Sequence, residues 1–124
     1  MFDLKSLKTL EYDKILDMLA TYAQSQGGKD KARTLTPFED YEGVLHALAE
    51  TEEADRTLFD FSVNPSFSVD DIDEVLARVS KGAVLSIADI LKVGRTLRVS
   101  RRLKKSIYTV NGVPILTSMV QGLY

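Results

Sequence analysis

The chain has 124 residues, 44% of them hydrophobic and 27% charged, with a formal net charge of −2 and no cysteine. These are ordinary globular values for one domain or part of one, and they exclude disulfides and thiolate sites. No run approaches the length of a membrane span, and the start, MFDLKSLKTLEYDK, lacks the apolar stretch of a signal peptide. The expectation is a cytoplasmic chain.

In chain order, Leu10, Ile15, Leu16, Leu19, Tyr22 and Ala23 recur at three- and four-residue steps and predict a helix over residues 9–24, with Thr9 as its N-cap. Gly27-Gly28 is expected to break it, and a short helix over 29–34 should close at Thr36-Pro37. A long helix follows over 40–61. Its apolar stripe is Val44, Leu45, Leu48, Thr51, Ala54, Leu58 and Phe61, with Asp40 as N-cap and Phe38 as a staple over the first turn. The other side of that helix carries Glu42, Glu50, Glu52, Glu53, Asp55 and Asp60, and reads as a solvated face. Residues 62–69, SVNPSFSV, read as a loop.

A helix over 70–80 should bury Ile72, Val75, Leu76 and Val79 and end at Gly82. Ser86 with Asp89 resembles a capping box that opens the last long helix, over 86–107, with Ile90, Val93, Leu97, Ser100, Leu103 and Ile107 as its core stripe. Asn111-Gly112 and Val113-Pro114 mark a turn, and residues 115–124 have room for one or two helical turns. No segment sustains period-two alternation, so the expected fold is all-α, an irregular bundle of about five helices in one domain spanning 1–124.

Charge is unevenly spread. Residues 1–80 carry a net −9, and residues 81–124 carry a net +7 with Asp89 as their one acid. Such polarity marks a nucleic-acid face, or equally a pair of acidic and basic helices lying against each other. At 100° per residue, Arg95, Arg98, Arg102 and Lys105 fall within one sector of about 80°, bordered by Arg101 and opposite Val93, Ser100 and Leu103. Cations at helical spacing can follow a phosphate backbone, and each contact would steepen the salt dependence. These five residues are the candidate nucleic-acid-binding set; the alternative for them is a solvated or internally paired face. No aromatic is interleaved among them, which argues against recognition of single strands by stacking.

No catalytic, cofactor or metal site emerges from the residues. Asp70, Asp71, Asp73 and Glu74 lack the glycine and distal glutamate of a calcium loop and suit the opening of a helix. His46 is the one histidine, without cysteines to complete a zinc site or a triad to serve. Gly27-Gly28-Lys29-Asp30 ends in Asp and lacks the leading glycine of a phosphate-binding loop. Tyr12, Tyr22, Phe38, Phe59, Phe61 and Phe67 read as core or contact aromatics, some of which would be left in an exposed apolar patch if natural neighbours lie outside this chain.

Four short patterns occur together in order. LKTLEYDKIL at residues 7–16 resembles the "LEFDKIL" opening of the bacterial MutS-related proteins of the second branch, the MutS-II endonuclease family. Gly28-Lys29 with Ala32 and Pro37 resembles that family's "GKE.A..L.P" pattern. Thr51-Glu52-Glu53-Ala54 and Gly82-Ala83-Val84-Leu85-Ser86 resemble its "TEEA" helix and "G.VLS..EL" helix start.

The resemblance implies an N-terminal fragment of the core and lever region of a much longer protein, itself non-catalytic. The rest of the polypeptide, clamp and ATPase domains, would be its main partner. For the full-length family the resemblance implies ATP and Mg, a homodimer, a C-terminal Smr nuclease domain, and a role in recombination control or stalled-ribosome rescue on DNA or ribosomal RNA. The rival expectation is a free-standing helical adaptor or protein-binding module, which would hold if the gene stops at Tyr124.

Overall fold

Residues 3–59 and 69–123 are described by a computed structural model of the chain, and among them are seven helices and no strand. The first, α1 (Leu4–Thr9), is capped by Asp3, whose carboxylate accepts from the Lys5 amide. It was not expected. Thr9, expected as an N-cap, is instead its last residue, and its hydroxyl donates back to the Lys5 carbonyl. The chain then turns at Glu11, which adopts φ 54 in the left-handed region before α2 (Tyr12–Tyr22) begins. No glycine or proline announces that turn, and a left-handed non-glycine residue costs about 1–2 kcal/mol. The Glu11 carboxylate takes the Lys14 ammonium at 2.6 Å.

Gly27-Gly28 does not break the chain between helices; it forms the first turn of α3 (Gln26–Arg33). Ser25 is the N-cap, its hydroxyl accepting from the Gly28 amide at 3.0 Å. A Cβ on Gly28 would meet Ser25 Oγ at 3.0 Å and the Ala23 methyl at 3.3 Å, so glycine lets the connection run close beneath the helix. α2 packs on α3 where both present alanine, Ala20 and Ala32, and both are buried. Arg33 closes the crossing by donating to Asp17 at 3.0 Å.

The long acidic helix is α4 (Tyr41–Phe59), with Asp40 accepting from the Gly43 amide at 2.6 Å as expected of an N-cap. Phe38 lies over that first turn, 3.1 Å from where a Gly43 Cβ would sit. The end of the expected stripe at Phe61, the loop at 62–68 and Phe67 lie outside the described residues. α5 (Asp73–Ser80) starts three residues later than expected. It ends in a Schellman turn: Gly82 has φ 82, its amide reaches the Val79 carbonyl, and the Ala83 amide reaches Arg78. α6 (Ile87–Tyr108) opens on the expected capping box, with the Ser86 hydroxyl and the Asp89 carboxylate satisfying each other's amides. α7 (Pro114–Val120) has proline in its first turn, where a missing amide hydrogen costs nothing.

The hydrophobic core is small. Ile107, Val110, Val113 and Val120 are buried together, with Leu103, Leu116 and Leu123 packed around them where α7 lies on α6. α4 joins this core through an unexpected group. Glu53, assigned by its spacing to a solvated face, is only 7% exposed, and its carboxylate accepts from the Ile115 and Leu116 amides at 3.2 and 2.9 Å. It caps α7 from another helix, and Arg56 donates to the Gly112 carbonyl at 3.3 Å beside it.

Several expected core residues are open to solvent. On α4, Val44, Leu45 and Leu58 are exposed, and Leu48 is 60% exposed. On α5 only Val75 is buried, while Leu76 and Val79 are exposed; on α6, Ile90 and Leu97 are exposed. Most of the stripes expected from periodicity, including Leu10, Ile15, Leu19 and Tyr22 near the start, are left open because the described chain supplies nothing to cover them.

Candidate nucleic-acid interface

The basic strip lies on one continuous helix, α6. Ser86 and Asp89 fix where α6 begins, and one unbroken helical run then carries Arg95 through Lys105 over about 15 Å of axis. Arg98, Arg101, Arg102 and Lys105 are all exposed and make no ion pair with another described residue. Arg95 is different. Its Nε donates to Asp70 Oδ2 at 2.8 Å, so a carboxylate just ahead of α5 already occupies the first cation of the strip.

Lys104 points elsewhere. Its ammonium donates to the Leu123 and Gln121 carbonyls at 2.6 and 3.3 Å and so neutralises the negative end of α7. With Glu53 at one end and Lys104 at the other, α7 is held by a charge at each terminus. Nothing in local spacing marks either residue, since each partner lies on a distant segment.

Acids of α4 do not neutralise the strip. Glu52 pairs with Arg56, Glu50 lies 3.3 Å from His46, and Glu53 is spent on α7. Among the described residues, the pairings that cross between the acidic and basic segments are Asp70, just ahead of α5, with Arg95, and Arg78 of α5 with Asp89 at 2.8 Å. Hydrogen bonds from the Ser86 hydroxyl and amide, then the Arg78 guanidinium, lower the Asp89 carboxyl from its ordinary 3.8 to about 2.

His46 is exposed on α4, and no group of three or more His, Asp or Glu side chains among the described residues is placed to hold a metal ion. ATP, implied for the full-length family, does not fit the Gly27-Gly28-Lys29-Asp30 segment: these residues form a helical turn capped by Ser25, and Asp30 accepts from Gln26 at 2.8 Å. An open apolar groove of about 440 Å³ runs between α1, α2 and the end of α3, lined by Leu4, Leu7, Tyr12, Leu16 and Leu35. No helix of the described residues is long and apolar enough to cross a membrane.

Fold and surface define the class: an all-α segment with a thin core, open apolar faces and one cationic helix. The chain is 36% identical over 121 residues to the protein named endonuclease MutS2 of Symbiobacterium thermophilum, covering 98% of this chain and 15% of that protein. It is 32% identical to endonuclease MutS2 of Clostridium kluyveri and 33% to that of Clostridioides difficile, covering 96–97% of this chain and 16% of each relative. No family model and no solved structure matches. The chain is a MutS-II-related segment, and it spans about one sixth of the length of the curated relatives it matches.

Proposed function

We propose that this chain is a non-catalytic core and lever segment of a MutS-II-like DNA-binding ATPase and endonuclease that acts in recombination control or stalled-ribosome rescue. The observation that carries the reading is the match along nearly the whole chain to proteins named endonuclease MutS2. In this reading ATP, Mg and the nuclease chemistry belong to other parts of a longer polypeptide, which also forms the homodimer. This segment transmits motion. α4 and α6 are about 28 and 33 Å long, stiff enough to act as rods, and α7 pins them together at one end.

The exposed surface supports a segment that belongs inside something larger. Its accessible area is 9679 Å², against roughly 6,600 Å² for a self-contained protein of this mass. The excess is on the scale of an extensive interface, and the open stripes of α4, α5 and α6 supply apolar surface for it. We assign their cover to the remainder of the same polypeptide. The strip at Arg95, Arg98, Arg101, Arg102 and Lys105 is the proposed contact with nucleic acid.

The test is binding of the chain to labelled duplex DNA, branched DNA and structured RNA at low and physiological salt. Salt-sensitive binding that favours branched DNA supports recombination, and preference for structured RNA supports the ribosome. Absence of binding at low salt by the folded chain overturns nucleic-acid contact through this segment. Strong binding of an apolar dye such as ANS by the same sample is expected from the uncovered stripes. A chain that ignores the dye and stays monomeric would favour a free-standing adaptor instead.

A further inference from the structure

We propose that Asp70 is a built-in stand-in for a nucleic-acid phosphate on Arg95, so that α6 meets a duplex backbone with four cations and gains a fifth only when Asp70 is removed. This rests on the reading of the strip as a nucleic-acid contact. Arg95 shares the sector of Arg98, Arg102 and Lys105, yet its guanidinium Nε already donates to a carboxylate oxygen at 2.8 Å. That oxygen sits where a phosphate oxygen would be received, since a guanidinium binds both anions with the same in-plane donors.

Asp70 is held in position. Its carbonyl accepts from the Thr96 hydroxyl at 3.5 Å, and α5, starting three residues on, is tied to α6 by Arg78 and Asp89. Both side chains of the pair remain partly exposed, 58% for Arg95 and 38% for Asp70, so removing the Asp70 charge leaves Arg95 open to a phosphate arriving from solvent. The neighbouring Asp71 makes a different contact: its carboxylate accepts from the Asp73 amide at 3.0 Å. Residues 87–107 contain no aromatic, so the fitting ligand is a double-helical phosphate backbone and not a stacked single strand.

Binding of the chain to a 20-base-pair DNA duplex, followed by fluorescence anisotropy across a salt series, tests this, with thermal melting as a check on folding. Four phosphate contacts give a slope of log K against log salt of about −3.6, and five give about −4.5. Asp70→Asn is expected to steepen the slope to the larger value and to tighten binding about threefold at low salt. Asp71→Asn removes the same charge without freeing a cation and should keep the parent slope. Arg95→Gln added to Asp70→Asn should return it to about −3.6. Asp70→Ser reports the same quantity if Asp70→Asn fails to fold.

Loss of binding in the double variant R98E/R102E, with D70N no steeper than the parent or matched by D71N, overturns the role of Asp70 and leaves the strip intact. Unchanged binding in R98E/R102E overturns the strip itself.

Discussion

Glu53 is the residue whose surroundings depart most from its chemistry. A buried carboxylate is costly unless its lone pairs are filled, and here two amides of α7 fill them. Removing it leaves both amides without a partner in a half-buried site. Glu53→Ala is therefore expected to destabilise the chain by about 2–3 kcal/mol, and Glu53→Gln by less, in urea denaturation. Asp89 carries a pH signature. Its carboxyl is lowered in the folded chain to about 2 from 3.8, so its contribution is complete above the unfolded value and is lost as pH falls through the folded one. Stability measured from pH 5 to pH 2 should fall, and Asp89→Asn should flatten that part of the decline. The box between Ser86 and Asp89 was legible three residues apart; its third partner, Arg78, was not, because it sits on another helix.

Among the elements, glycine positions separate local from tertiary meaning. Gly82 ends α5 in the left-handed region with open space around it, so Gly82→Ala pays only the conformational penalty, about 1 kcal/mol. Gly94 is the reverse case. It sits within α6, has no positive φ, and a Cβ there would meet nothing within 4 Å. Gly94→Ala should raise stability by about 1 kcal/mol, seen as a higher melting temperature. Gly27-Gly28 shows why composition misleads about boundaries: the pair reads as a break, but Ser25 supplies a cap that allows both glycines into the first turn of α3. The turn at Glu11 failed for the opposite reason, since nothing in its side chain favours the conformation it adopts.

Across the whole molecule, the consequence of a thin core is uneven sensitivity. Val113, 1% exposed at the centre of the α6 and α7 packing, is expected to cost about 2 kcal/mol on change to Ala. Leu48→Ser should stay within about 0.5 kcal/mol in the same denaturation, although both residues fall at apolar positions. A full penalty at Leu48 would mean that the α4 stripe is covered in the chain as it stands, and would remove the main support for a covering polypeptide. Restored sensitivity at Leu48 inside a longer protein would locate that cover on α4.

The all-α class, the two long helices, the capping box, the basic strip and the family resemblance were all written locally, in spacings of three, four or seven residues. Hydrophobic period and cap chemistry depend on near neighbours, so they can be read from a string. Tertiary structure alone decided which stripes are buried, that Glu53 and Lys104 hold the two ends of α7, and that Arg95 is already paired while Arg98, Arg101, Arg102 and Lys105 are exposed. The last two of those outcomes join residues 19 to 63 positions apart. A helical wheel says which way a side chain faces along its own axis. What stands opposite is set by the path of the chain between helices.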